Sequence, residues 1–429
     1  MKKIVLLILV CIVSACSSST SNPTGVKQGD LDPTFNAPEG YALYMGWNKD
    51  SYVGTAIQAN GKILVSTGIL NDTDSDVGVL RYNADGTVDK EFGSDGIVIY
   101  DSGYGDDCGR LMAVDAYGRI ILTGYTHNGQ DVDLMIMRLN DDGTPDNSFG
   151  TNGIVVYDNA GRDDYGRAIA LQADDKIVVT ARSTGDYSTS IAMILRYEMD
   201  GSLDASFGLN GVVTYEGGKG NDGFRDLAIQ SDGNIVVTGY TKTDAGFEVL
   251  TARYDTNGAL DNSFGTDGIV RYDGGHGNAG ARGIVILGDG KIVVSGSNHN
   301  GSDLDVVVLK YKSDGSPDPD FGTAGVVVYD GGIGNDNGRR LALQQGDKIV
   351  VAGNTYNGTN YDALVLKYDS NGVADTAFGN AGVATFKLSD GDDWGEAVAI
   401  QTDQNIIAVG GVANVATEVL TMRIIGSSG

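Results

Sequence analysis

The sequence predicts an all-β chain closed into a seven-bladed β-propeller with four antiparallel strands per blade. Three observations predict it: a motif that recurs at near-constant spacing, four strand-like runs inside each recurrence, and chain ends that complement each other. The motif is Asp-x-x-Phe, at Asp32/Phe35, Asp89/Phe92, Asp146/Phe149, Asp204/Phe207, Asp261/Phe264, Asp318/Phe321 and Asp375/Phe378. Its intervals are 57, 57, 58, 57, 57 and 57 residues, with 51 more after Phe378. Self-similarity at such a period marks a repeat architecture, in which each repeat is one supersecondary unit that cannot bury its apolar faces alone.

The second repeat shows the strands. Arg110 to Val114, Arg119 to Thr123, Leu134 to Leu139 and Ile154 to Tyr157 are short apolar or β-branched runs bounded by Gly, Asn and Asp. Such runs read as strands, and no stretch carries a helical period. Four strands in a repeat of about 40 to 50 residues make a propeller blade, and the extra length here falls in loops.

The ends close the ring. The last repeat stops after its third strand, near Leu420 to Ile425, and the first begins with an unused fourth-strand equivalent at Tyr41 to Met45. The expected seventh blade is 395–425 plus 41–46, which leaves no open sheet edge at the seam.

The N-terminus reads as an address. Lys2 and Lys3 precede a short apolar run, Ile4 to Val13, too short to span a membrane. Val13-Ser14-Ala15-Cys16 resembles the lipobox of bacterial lipoprotein signals. The resemblance implies a signal at 1–15, lipid on Cys16, and, with Ser17 next, sorting to the outer membrane. Residues 16–30 then form a polar, flexible tether, and 31–429 the propeller. The membrane is met through the lipid alone, on its periplasmic or outer side, and the expected state is monomeric.

Cys11 leaves with the signal and Cys16 takes lipid, so Cys108 has no partner for an internal disulfide, and stability rests on a core. Formal net charge is −27, which argues against nucleic acid as a partner.

Within the repeat, Ala228-Ile229, Asn234-Ile235-Val236-Val237-Thr238-Gly239, Arg253-Tyr254, Asn257-Gly258 and Asp261-Asn262-Ser263-Phe264-Gly265 together resemble the delta-60 repeat of bacterial, often surface-associated proteins. The resemblance covers about 31–425 and implies fold more than activity. The third repeat departs from the pattern at Ala181-Arg182, and the first has Asn36 for the usual glycine.

Seven motif aspartates are matched by seven basic residues on third strands: Arg81, Arg138, Arg196, Arg253, Lys310, Lys367 and Arg423. The expectation is one ion pair per blade, Asp32 meeting Arg423 across the seam, with the phenylalanines in the core. Asn/Asp-Gly turns such as Asn83 to Gly86 supply the left-handed position of a turn and lack an EF-hand ligand set. Gly217 to Asp222 and Gly331 to Asp336 resemble the calcium nonapeptide of RTX β-helices, but copies 57 or more residues apart do not build that cage. Asp72, Asp74 and Asp76 form the densest carboxylate cluster and the best single cation candidate, with a solvated acidic loop the favoured reading. No cofactor is otherwise expected, with calcium the one open candidate.

Function belongs on the variable loops that join fourth strand to next first strand and second strand to third. An arginine opens the first strand of five repeats: Arg110, Arg167, Arg225, Arg282 and Arg339. Near a central channel these would clamp an anionic ligand. Acidic residues often stand three positions before this place in the repeat: Asp50, Asp107, Asp164, Asp222, Asp336 and Asp393. The structural alternative, favoured on the residues, is a lattice of arginine–aspartate pairs holding adjacent inner strands. Trp47, Tyr52 and Trp394 gather at the seam and suit protein or glycan contact, or else plug the closure. No nucleophile elbow or phosphate loop is present. The expected function is a non-enzymatic binding or scaffold propeller for a protein or glycan. The alternative is an envelope polysaccharide hydrolase or lyase on the same scaffold.

Overall fold

The computed structural model describes residues 26–46, 52–71, 73–185, 189–217, 219–413 and 417–427. Cys16, Trp47 and Asp72 lie outside the described residues. The described chain forms seven four-stranded sheets, all antiparallel. The seven first strands touch one another in cyclic order, the last meeting the first, so they line a central axis. The all-β propeller of seven blades expected from the repeat is the fold observed.

Burial explains the strand sequences. In blade 1 the second and third strands, Ile63–Leu70 and Ser75–Tyr82, are buried almost throughout. Each blade is covered on both faces by its neighbours, so its middle strands are apolar on both sides rather than alternating. The outer strands are short, four residues in Ile154–Tyr157, with one side facing solvent. Short outer edges limit pairing with foreign strands.

The seam closes as expected. Asp393–Ile400, Ile406–Ala413 and Thr417–Ile424 take Tyr41–Met45 as their fourth strand, with Leu43 opposite Leu420. Leu31 adds a bridge to Ile424, tying the chain start to its end once more.

All seven ion pairs form, but each is part of a larger clip. Arg81 Nε donates to Asp89 Oδ2 at 2.6 Å, and its guanidinium lies 4.4 Å from the centre of the Phe92 ring. Its Nη1 donates to the Asp141 carbonyl in the next blade's turn. One side chain therefore holds its own corner, its own core phenylalanine and the adjacent blade. Arg138, Arg196 and Arg253 repeat the pattern with Asp146, Asp204 and Asp261. Lys310 and Lys367 stand farther from their aspartates, at 3.7 and 3.4 Å, and reach the next turn through Nζ. The glycine of that turn is required by the same contact. Gly143 has φ +87°, and a Cβ there would stand 2.9 Å from the Phe92 ring.

Candidate functional site

Function-bearing side chains collect at the axis, and a backbone irregularity puts them there. The pairing of first and second strands shifts register between Gly109 and Met112, Gly166 and Ala168, Phe224 and Asp226, Ala281 and Gly283, Gly338 and Leu341, and Gly395 and Ala397. The inserted residues include Arg110, Arg167, Arg225, Arg282, Arg339 and Glu396. A β-bulge places an extra residue opposite none and turns its side chain out of the sheet. Here six bulges turn five arginines and one glutamate toward the axis. Small residues precede most of them because the strand passes close to the neighbouring blade. A Cβ on Gly166 would stand 2.6 Å from the Gly124 carbonyl oxygen.

The five arginines, with Tyr52, Val53, Leu111, Arg340 and Glu396, line one narrow axial cavity of about 30 Å³. Tyrosines interleave with the cations. Arg110 lies 4.1 Å from the centre of the Tyr52 ring and 5.5 Å from that of Tyr125. Arg167 faces Tyr165 and Tyr52, and Arg225 faces Tyr240 at 4.8 Å. A wider groove of about 360 Å³ adjoins the ring through Arg225 and Arg282 and carries Arg182, Tyr240 and Phe247.

The favoured expectation of an arginine–aspartate lattice is overturned. Asp107, Asp164, Asp222, Asp336 and Asp393 each accept a hydrogen bond from the backbone N–H of Ser102, Asn159, Gly217, Gly331 and Leu388, at 2.5 to 2.7 Å. They close the loop leading into the first strand. A separation of three along a strand sends two side chains to opposite sides, so the aspartate that closes the loop cannot also reach the axis. Among the described residues, Arg339 alone of the five has an acidic partner, Glu396 at 3.5 Å. One residue along the strands, Arg340 pairs with Asp226 at 2.7 Å.

Arg110, Arg167, Arg225 and Arg282 therefore share an axis without carboxylates of their own. Arg110 is buried and its Nε has no hydrogen-bond partner. Burial and the neighbouring Arg110 guanidinium pull Arg167 down to about 9. Burial, then Arg282, pull Arg225 down to about 10. Burial by itself would raise the Tyr52 phenol. The guanidiniums of Arg167, Arg282, Arg225 and Arg110 outweigh it and bring the phenol down to about 6. Tyr52 is thus the ring's internal counter-anion near neutral pH.

Of the residues expected at the seam, Tyr52 lines the axial cavity beside the arginines. Trp394 is half-buried against the core shared by blades 7 and 1, with Val53, Ala397 and Val409. Asp74 and Asp76 stay neighbours, since Asn71 Nδ2 donates to both, at 2.7 and 3.0 Å. Carboxylate oxygens of Asp76, Asp101 and Asp107 also lie within 4.8 Å of one another, because the loops on either side of the blade junction converge there. Sequence reasoning missed Tyr125, Tyr165 and Tyr240. The recurrent Thr-Gly-Tyr-Thr at Thr123 to Thr126 and Thr238 to Thr241 was the available signal for two of them.

Six stretches match the family model described as Domain of unknown function (DUF5122) beta-propeller: 58–92, 118–149, 172–207, 230–264, 287–321 and 345–378. The chain is a β-propeller repeat protein. No curated protein matches it in sequence. Among solved structures it is similar to a polysaccharide lyase of family PL25, an ulvan lyase bound to -[GlcA(1-4)Rha3S]-, at 12% identity and TM-score 0.50, over 90% of this chain and 96% of that one. It is similar to Drosophila Semaphorin 2a at 7% identity and TM-score 0.51, over 90% and 75%. A protein of unknown function from Bacteroides caccae follows at 14% and 0.42, over 77% and 100%. At these identities the likeness is one of fold.

Proposed function

We propose that this propeller is a binding protein for an anionic glycan, one bearing carboxylate or sulfate groups, held at the outer membrane by lipid on Cys16. The observation that carries the reading is the convergence of Arg110, Arg167, Arg225 and Arg282 on one axis without carboxylate partners. Like charges brought together in a half-buried site repel, and an incoming anion relieves that cost. Guanidinium forks match carboxylate and sulfate geometry bidentately. Phe247, half-buried in the adjoining groove, offers a flat face for a sugar ring. In a chain of net charge −27 this local positive field also sets where an anion goes.

The test is an array of neutral, uronate-bearing and sulfated oligosaccharides, probed with the purified protein and with Arg167→Ala/Arg225→Ala. Binding confined to the acidic glycans and lost in the variant supports the reading. Binding of neutral glycans, or of an acidic protein alone, overturns it.

One observation favours a second reading, polysaccharide lyase activity. A phenol near 6 among guanidiniums is a base at neutral pH. Elimination from a uronate needs its carboxylate neutralised and the adjacent carbon deprotonated, roles that an arginine and Tyr52 would fill. The two readings separate by pH. Tyrosinate competes with an anionic ligand, so binding weakens above about pH 6, whereas base-catalysed cleavage strengthens there.

A further inference from the structure

We propose that three of the seven blade junctions are divalent-cation sites that take calcium, each built from three aspartates on the loop face. The groups are Asp76, Asp101 and Asp107; Asp133, Asp158 and Asp164; and Asp305, Asp330 and Asp336. In each, the first residue lies at the start of a third strand, the second just beyond the outer strand, and the third at the entry to the next blade's first strand. Their carboxylate oxygens lie within 4.8 Å of one another. Oxygens bound to a single calcium ion at about 2.3–2.6 Å stand no more than about 5 Å apart. With carboxylates only, the donor set suits a hard cation and not zinc.

Carboxylates alone would be a solvated acidic patch; burial and unmet valence distinguish these. Two of each three are buried: Asp76, Asp107, Asp133, Asp164, Asp305 and Asp336 are at most 7% exposed. Asp76 Oδ1 and Asp133 Oδ1 are buried without a hydrogen-bond partner, as are Asp164 Oδ1 and Asp336 Oδ1. A buried carboxylate oxygen left bare is costly, and a cation at the centre of each trio would satisfy it. The other oxygen is held in place. Asn71 and Asn128 donate Nδ2 to Oδ2 of Asp76 and Asp133, at 3.0 and 2.9 Å, and Asn300 donates to both oxygens of Asp305, at 3.1 and 3.0 Å. Orienting bonds of this kind support metal ligands from outside.

The other repeats act as internal controls. At the junction after blade 3 the first position is Ile191, and after blade 4 the last is Ala279. At the junction after blade 6, Asp362 and Asp393 remain and the middle position is Lys387.

The test is calcium binding to the purified protein, measured by titration calorimetry after exhaustive chelation, with calcium carried into the millimolar range. The expected result is three calcium ions per chain and a thermal midpoint raised by about 5 °C at saturation. Asp101→Asn, Asp158→Asn and Asp330→Asn change exposed residues, which the fold does not need, and each should remove one ion. Lys387→Asp should add a fourth. No heat of binding and no thermal shift at millimolar calcium would overturn the proposal. So would undiminished stoichiometry in the triple asparagine variant, with its fold confirmed by circular dichroism.

Discussion

Arg423 Nε donates to Asp32 Oδ2 at 2.8 Å, joining residues that lie 391 apart in sequence. Both are buried, and Arg423 also reaches the Ala84 carbonyl of blade 1 at 2.7 Å. The clip that repeats in every blade therefore doubles, at the seam, as the closure of the ring. Removing one partner of a buried pair leaves the other charge uncompensated. Asp32→Asn is expected to cost about 3 kcal/mol in urea unfolding. A loss below about 1 kcal/mol would mean that the bridge of Leu31 to Ile424 and the pairing of Tyr41–Met45 suffice to hold the seam.

The bulge should be as demanding as the clip. Gly166→Ala places a methyl within 2.6 Å of the Gly124 carbonyl oxygen, against backbone that has no room to move. A destabilisation of about 1–3 kcal/mol is expected, with Arg167 displaced from the axis. Gly288→Ala is the control, since nothing lies within 4 Å of a Cβ there.

Tyr52 should titrate alone. A single tyrosinate is expected to appear near pH 6 by ultraviolet absorbance, and to vanish in Tyr52→Phe. The folded pKa lies below the unfolded value of about 10, so the linked stability is complete above about pH 10 and is lost as pH falls through about 6. Arg167→Met should return the phenol toward its ordinary value. A wild-type titration with no tyrosine ionising below pH 8 would refute the arrangement of the ring.

Ring arginines should work against stability. Arg167 and Arg225 repel each other and their neighbours without carboxylates to compensate. Arg225→Met is therefore expected to raise the thermal midpoint while anion binding falls, the trade-off of a site kept for function. A lower midpoint would assign the arginine to the scaffold instead.

The repeat spacing made the propeller, its blade count and its closure legible, because seven copies of Asp-x-x-Phe and the missing fourth strand of the last repeat are one-dimensional facts. The ion pairs were legible by their equal numbers. Their reach to the next blade was not, since Arg81 finds Asp141 only once two blades pack. The arginine ring was visible as a column of residues, yet its partners were misjudged. Asp107 and Arg110 are neighbours in sequence, but the bulge at Arg110 and strand alternation part them. Asp76 was singled out with Asp72 and Asp74, whereas its partners Asp101 and Asp107 come from loops about thirty residues on. Gly331 to Asp336 was set aside as an RTX cage, and Asp336 proves to belong to a carboxylate group of a different construction.

The central claim is that the axial arginines hold an anionic glycan. Titration calorimetry of a sulfated uronic-acid oligosaccharide into the protein, at pH 5 and pH 8, tests it most directly, with Arg167→Ala/Arg225→Ala and Tyr52→Phe beside it. The account predicts one site, tighter at pH 5 than at pH 8, lost in the arginine variant and made insensitive to pH in Tyr52→Phe. Equal affinity in wild type and the arginine variant would contradict it.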